Sequence, residues 1–320
     1  MNEMRAALYD RYGPPEVLYE GTVAKPDPGP GEVLVRVRAS SVNGGEPAAR
    51  AGRLRLLTDL MGRDFPRGVG LDFAGEVAAL GSPLRALAVG DRVWGGGRAV
   101  WSAAAEYVVV RPRHLAHAPA GVDLVEAATL PGVGTTAITA LRDKARLREG
   151  ERLLVRGASG GVGSVAVQLG RAYGAHVTGL AREANLDFVR ELGAHDAFDY
   201  RAIRPAELGR FDVVLDTVGS GMEAYRRLLA PGGRMVAIAF DLDRAVRSLA
   251  HILVSGVYGP RRVRFFSGNP GHELFAELTR LVESGAVRPV LDTAYPLAGI
   301  AEAHRALESG GVRGKVVVRT

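Results

Sequence analysis

Glycines fall at 157, 160, 161 and 163, between a short apolar run, Leu153 to Val155, and a segment in which Val162, Val165, Ala166 and Leu169 recur at helical spacing. Such a pattern puts a glycine turn at a helix N-terminus, where backbone amides unobstructed by side chains bind a pyrophosphate. Gly160 and Gly163 fill the second and third positions of G-x-G-x-x-G; Ala158 stands in the first, and Gly157 before it relaxes the turn. Ser159, Gly160, Gly161, Val162 and Gly163 are therefore the expected phosphate-binding residues. Beyond the next apolar run, Leu180-Ala181-Arg182 offers no acid to a ribose 2′-hydroxyl and one guanidinium to a 2′-phosphate, which favours NADPH over NADH.

The same stretch spells a second chemistry. Gly157-Ala158-Ser159-Gly160-Gly161 satisfies G-x-S-x-G, the nucleophile elbow of an α/β hydrolase, and Asp216 with His251 or His304 follows in the required order. A serine hydrolase built on Ser159 is thus the rival reading; Gly163 and a separate β-rich upstream half count against it. His114 and His117 are three apart, but they sit in a proline-flanked loop with no third ligand nearby and read as surface histidines.

The glycine turn needs a strand before it and a helix and strand after it. Leu153 to Val155, the helix and His176 to Ala181 supply a unit of about 30 residues, the length of a right-handed parallel crossover. A helix from Glu183 to Leu192, strands from Ala197 to Tyr200 and Phe211 to Asp216, a helix from Glu223 to Leu229, a turn at Gly232-Gly233 and a strand from Arg234 to Phe240 continue the alternation. The fold class is α/β, with a doubly wound parallel sheet. Upstream, Arg5 to Tyr9, Glu32 to Ala39, Gly70 to Ala79, Arg92 to Trp94 and Ala105 to Val110 read as strands of a β-rich domain. Val33, Val35 and Val37 occupy one face there, Arg36 and Arg38 the other. Helices are expected from Val125 to Leu130 and Thr135 to Lys144, separated by Pro131-Gly132-Val133-Gly134. The tail carries helices from Glu273 to Glu283 and Ile300 to Glu308 and a last strand from Lys315 to Arg319. Within Gly259 to Ser267 the alternation of Arg262, Val263, Arg264 and Phe265 reads as an edge strand, and hence as a homodimer contact.

With 320 residues, 47% hydrophobic and 24% charged, the chain has the composition of a soluble two-domain protein. No apolar run reaches membrane-spanning length, and MNEMRAALYD is not a secretory leader, so no membrane partner and a cytoplasmic location are expected. The absence of cysteine excludes disulfides, thiolate nucleophiles and Cys-ligated zinc. A net charge of +6 comes without the dense basic block and interleaved aromatics that track nucleic acid, and a phosphate-bearing cofactor is a sufficient anion. Lys25, Lys144 and Lys315 are the only lysines.

GPPEVL at 13 to 18, SSVNGGEPAARAG at 40 to 52, GLDFAGEVAALG at 70 to 81, VGDRV at 89 to 93, AEYVVV at 105 to 110, LPGVGTTAITAL at 130 to 141, GASGGVGSVAVQL at 157 to 169 and RGKVVV at 313 to 318 follow one another in order. From end to end the chain resembles a zinc-independent medium-chain dehydrogenase/reductase of the quinone oxidoreductase type. The resemblance implies a GroES-like β-rich catalytic domain over 1–124 and 268–320, interrupted by a Rossmann domain over 125–267. It also implies NADPH-dependent hydride transfer to a quinone or to the C=C bond of an α,β-unsaturated carbonyl. Where zinc-dependent relatives place histidine and glutamate this chain has Leu71 and Asp72, and near their cysteine it has Val42-Asn43; no metal is expected. Asn43 matches the polar residue that faces the nicotinamide, an Asx-turn being the alternative, and Thr136 matches the threonine beside it, a helix cap being the alternative. Lys315 matches the basic residue directed at the pyrophosphate, or is a solvated edge lysine; Tyr200 matches the aromatic that borders the adenosine, or is ordinary surface. The tyrosine that often follows the asparagine is replaced by Gly44-Gly45-Glu46-Pro47-Ala48, which leaves the proton donor unassigned. The lysine that some NADPH-dependent relatives use aligns with Asn185. Trp94 and Trp101 either shape a flat pocket or pack the interior. A third alternative is a protein that binds NADPH without turnover.

Overall fold

The computed structural model describes residues 3–55, 64–84, 86–97, 102–239, 263–266 and 268–320, so Trp101 and His251 lie outside the described residues. Two units result: 1–135 with 269–285 and 289–320, and 136–268 with 286–288. The first boundary falls after residue 135 rather than 124, because the helix Leu124–Ala127 buries Leu124 and Ala127 and packs on strands of the first unit.

Along the chain the first unit contributes β1 (Glu3–Tyr9), β2 (Leu18–Ala24), β3 (Val33–Ser41), β4 (Arg67–Gly68), β5 (Asp72–Leu80), β6 (Arg92–Gly96), β7 (Tyr107–Val110) and β8 (Leu115–His117). The second contributes β9 (Arg152–Arg156), β10 (His176–Ala181), β11 (Asp196–Asp199), β12 (Phe211–Asp216), β13 (Leu229–Ala237) and β14 (Val263–Phe265), after which β15 (Leu291–Pro296) and β16 (Lys315–Arg319) return to the first. In the first unit, one sheet runs β2-β1-β4 and a second runs β15-β16-β3-β5-β6-β8, with β7 also paired to β3. The expected alternation in β3 holds: Val33, Val35 and Val37 are buried among Phe73, Val77 and Val93, while Arg36 is exposed. Trp94 is fully buried, which makes it core.

The sheet of the second unit is parallel throughout, in the order β11-β10-β9-β12-β13-β14. The chain leaves β9 toward β10 and β11, then returns to the other side of β9 for β12, so the order reverses between β9 and β12. β14 is the terminal strand of this sheet among the described residues, as its alternating sequence predicts.

Two expectations need correction. Pro131-Gly132-Val133-Gly134 is not a break but the first turn of the helix Pro131–Ile138, where proline's missing N–H costs nothing. Gly134 serves packing there, since a Cβ would lie 2.6 Å from Leu278 Cδ2. The helix continues as a π-helical segment, Thr139–Ala145, that ends at Arg146 with a φ of 51°. Gly232 and Gly233 lie inside β13, and the pairing of β12 with β13 shifts register between Phe211 and Val213. Among the described residues no helix is long and apolar enough to cross a membrane.

Candidate functional site

In the second unit β9 ends at Arg156, and Gly157 turns the chain with a φ of 72°, a conformation that favours glycine. Gly160 then caps the helix Gly161–Ala172 in extended geometry, with no side-chain bond to the first turn, so the leading amides remain available to an anion. A Cβ on residue 163 would stand 2.0 Å from the Gly157 carbonyl oxygen and 2.8 Å from Ala158 Cα. Only glycine permits that closeness of helix and turn. The residues present therefore fit a dinucleotide pyrophosphate: Ser159, Gly160, Gly161, Val162 and Gly163 form one continuous turn whose backbone a ligand can approach.

Ser159 Oγ accepts a hydrogen bond from Asn185 Nδ2 at 3.2 Å, and Asn185 is buried, so that side chain faces inward. Asp216, the acid a hydrolase would need, is fully buried and committed: Oδ2 accepts from Arg156 Nη1 at 2.7 Å and Oδ1 from the Val218 and Gly219 amides. His304 belongs to the other unit, where Arg50 Nη1 donates to its Nδ1 at 3.4 Å. Asp216 is thus not available to orient a histidine for a triad on Ser159. Arg182 follows β10 and Tyr200 follows β11, and hydrogen bonds with Arg182 and Arg201 hold the half-exposed Tyr200 phenol below its usual range. The two residues expected at the adenosine end thus meet. Thr136, half-buried, is the sixth residue of its helix, which removes the cap alternative.

The first unit holds a buried polar cluster at the end of β3. Asn43 Nδ2 donates to Ser41 O and to Glu46 Oε1, each at 3.1 Å, and Oδ1 accepts from Lys315 Nζ at 2.9 Å. As arranged, both amide hydrogens of the carboxamide are committed within the cluster. Lys315 Nζ also donates to Val42 O at 2.6 Å; the residue is 5% exposed, on a strand flanked by β15 and β3. It is therefore neither solvated nor at an edge, and its ammonium is turned into the cluster. Asp72 accepts from Ser41 N at 3.1 Å, from Ser41 Oγ at 2.8 and 2.9 Å, and from Gly132 N at 3.1 Å at the start of the helix Pro131–Ile138, where a carboxylate also suits the helix dipole.

Burial and the Asp72 carboxylate push Glu46 up to about 7. Burial likewise raises Asp72 against the pull of Lys315, and lowers Lys315 against the pull of both acids. Behind Glu46 lies His304, fully buried, which burial and the Arg50 guanidinium push down to about 3. Arg50 is donor-only, so His304 Nδ1 accepts and the proton sits on Nε2, 3.8 Å from Glu46 Oε2. That contact joins a neutral imidazole to an acid and is not an ion pair. The sequence reading missed Glu46 and Ser41 as members of the cluster. Asn43-x-x-Glu46 is a capping-box spelling, but only half of the box forms: Asn43 N donates to Glu46 Oε1, whereas Glu46 N donates to the main-chain carbonyl of Asn43 and not to its side chain. His117 is exposed and bonded to Asp91, whereas His114 is buried against Arg113, so only the first is a surface histidine. Among the described residues no three His, Cys, Asp or Glu side chains group as metal ligands.

A family model described as alcohol dehydrogenase GroES-like domain matches residues 29–120, and one described as zinc-binding dehydrogenase matches residues 192–318. The human protein "NAD(P)H oxidoreductase RTN4IP1, mitochondrial" is 30% identical over 98% of this chain and 89% of its own. The "2-methylene-furan-3-one reductase" of Solanum lycopersicum is 33% identical over 99% of this chain and 79% of its own. Among solved structures, the quinone oxidoreductase from Coxiella burnetii superposes with a TM-score of 0.89 at 29% identity, covering 99% of both chains.

Proposed function

Since this chain belongs to the medium-chain dehydrogenases/reductases of the quinone oxidoreductase type, we infer that it is an NADPH-dependent, zinc-independent reductase of quinones or of the C=C bond of α,β-unsaturated carbonyls. The observation that carries the cofactor reading is the glycine cradle, with its uncapped helix start and the close approach at Gly163. When bound, the reduced nicotinamide supplies the hydride. Ser159 to Gly163 bind the pyrophosphate through backbone amides, and Arg182 with Tyr200 binds the adenosine end and favours a 2′-phosphate.

Zinc does not suit the donors present. The chain has no cysteine, and both Asp72 oxygens already accept from Ser41, the second also from Gly132, in the field of the Lys315 ammonium. Without a Lewis acid an alkoxide is poorly stabilised, whereas a conjugated acceptor spreads its charge, which supports quinones and enones over simple alcohols. Asn43 orients the cluster by joining Lys315 to Glu46. Thr136 lies beside the nicotinamide on this reading, and β14 pairs two copies edge to edge as a homodimer.

The test is product analysis with 4-deuterated NADPH and a model enone. Deuterium at the β-carbon is expected; deuterium at the carbonyl carbon, giving an allylic alcohol, would overturn the proposal. Activity should also survive prolonged chelation.

A further inference from the structure

Ligands of an open α/β sheet bind outside the carboxyl ends of its strands, where the strand order reverses. Here that point lies between β9 and β12, whose last residues, Arg156 and Asp216, are register partners. Both are buried, at 6% and 0% exposure, and Arg156 Nη1 donates to Asp216 Oδ2 at 2.7 Å. The rest of each side chain grips the loop that follows β12. Asp216 Oδ1 accepts from Val218 N at 2.9 Å and Gly219 N at 3.1 Å, and Arg156 Nη2 donates to Ser220 O at 2.9 Å. The guanidinium lies 3.7 Å from the centroid of the Tyr225 ring. Thr217 Oγ1 donates to Arg156 O at 2.7 Å and abuts the glycine turn, since a Cβ on Gly157 would stand 2.4 Å from it.

The outcome is a loop tied down through the Val218 and Gly219 amides, the Ser220 carbonyl and the Thr217 hydroxyl, while the one large apolar side chain points out: Val218 is 47% exposed. A buried ion pair is weak evidence for stability, because well-packed apolar residues of similar volume often do as well or better. Its geometric precision asks for another account. Arg182 and Tyr200 lie past β10 and β11 on one side of β9, and the glycine turn follows β9 itself. The β12 side is left for the other half of a dinucleotide.

We propose that Arg156 and Asp216 are a positioning pair that, by holding the Val218 and Gly219 amides, presents the Val218 side chain as an apolar shelf for the nicotinamide half of the cofactor. This rests on the dinucleotide reading given above. The test compares binding of NADPH with binding of 2′,5′-ADP, which carries only the adenosine end, by titration calorimetry. In the double variant Arg156→Met/Asp216→Leu the pair is replaced by apolar volume, and in Val218→Asp a charge is put on the shelf. Each should weaken NADPH by about tenfold or more and leave 2′,5′-ADP unchanged, while the double variant melts at or above the wild-type temperature. If the double variant does not fold, Val218→Asp, an exposed position, carries the test. Equal losses for both ligands, or unchanged NADPH binding in the variants that fold, would overturn the positioning pair alone. A wild-type protein that binds neither ligand would overturn the dinucleotide reading and the pair together.

Discussion

Glu46 and His304 sit 3.8 Å apart in one interior, and their proton affinities move in opposite directions. Glu46 rises from 4.5 to about 7, so between those values the native state holds a proton that the unfolded state has lost, and stability falls as pH rises. His304 drops from 6.5 to about 3, so the unfolded state holds the extra proton in that window, and stability rises with pH. Over the shared range the two slopes cancel. His304→Gln should unmask Glu46: relative to wild type, stability should fall by about 1.4 kcal/mol per pH unit at most as pH rises from 5 to 6. Glu46→Gln should show the opposite slope. Urea midpoints across that range decide it, and parallel pH profiles for all three proteins would refute the account. At the adenosine end, Arg182→Glu should weaken NADPH about tenfold relative to NADH, roughly 1.4 kcal/mol. Unchanged selectivity in a fluorescence titration would mean that the phosphate is read elsewhere.

At the scale of the element, two glycines on one helix make contrasting predictions. A Cβ at residue 163 meets backbone atoms of the turn, whereas one at residue 170 meets the ends of Leu153 and Val177 side chains. Gly163→Ala should therefore cost about 3 kcal/mol and abolish NADPH binding, while Gly170→Ala should cost less and leave binding intact. Melting curves with and without NADPH would separate them; equal effects would show that the close approach is not what the turn requires. Elements with local signatures were legible in the sequence: β10, β12 and β16 have the expected bounds because their apolar runs stop at a charge. β2 and β15 escaped because their mixed, half-exposed faces carry no clean alternation. The π-helical segment escaped because a changed hydrogen-bond register leaves residue types untouched. The glycine cradle is contiguous and could be read directly. The cluster of Asn43, Glu46, Asp72 and Lys315 joins residues far apart in the chain, so its members could be named singly but their mutual bonds could not.

At the scale of the whole molecule, β14 leaves a sheet edge among the described residues, with Arg264 exposed between Val263 and the half-buried Phe265. Edge pairing predicts a homodimer at micromolar concentration by sedimentation velocity, and Val263→Pro, which removes a ladder donor, should shift it toward monomer. A wild-type monomer would dismiss the edge as an interface. The burial of Lys315 has a consequence of a different kind. Quinones and enones are alkylating agents that consume thiols first and amines next. This chain carries no cysteine, Lys25 lies 3.8 Å from the centroid of the Tyr107 ring, and the ammonium of Lys315 is held by Val42 and Asn43 inside the fold. An enzyme that handles such electrophiles thereby offers them few soft nucleophiles of its own, and should keep its activity through exposures that inactivate thiol-bearing proteins by covalent adduct formation.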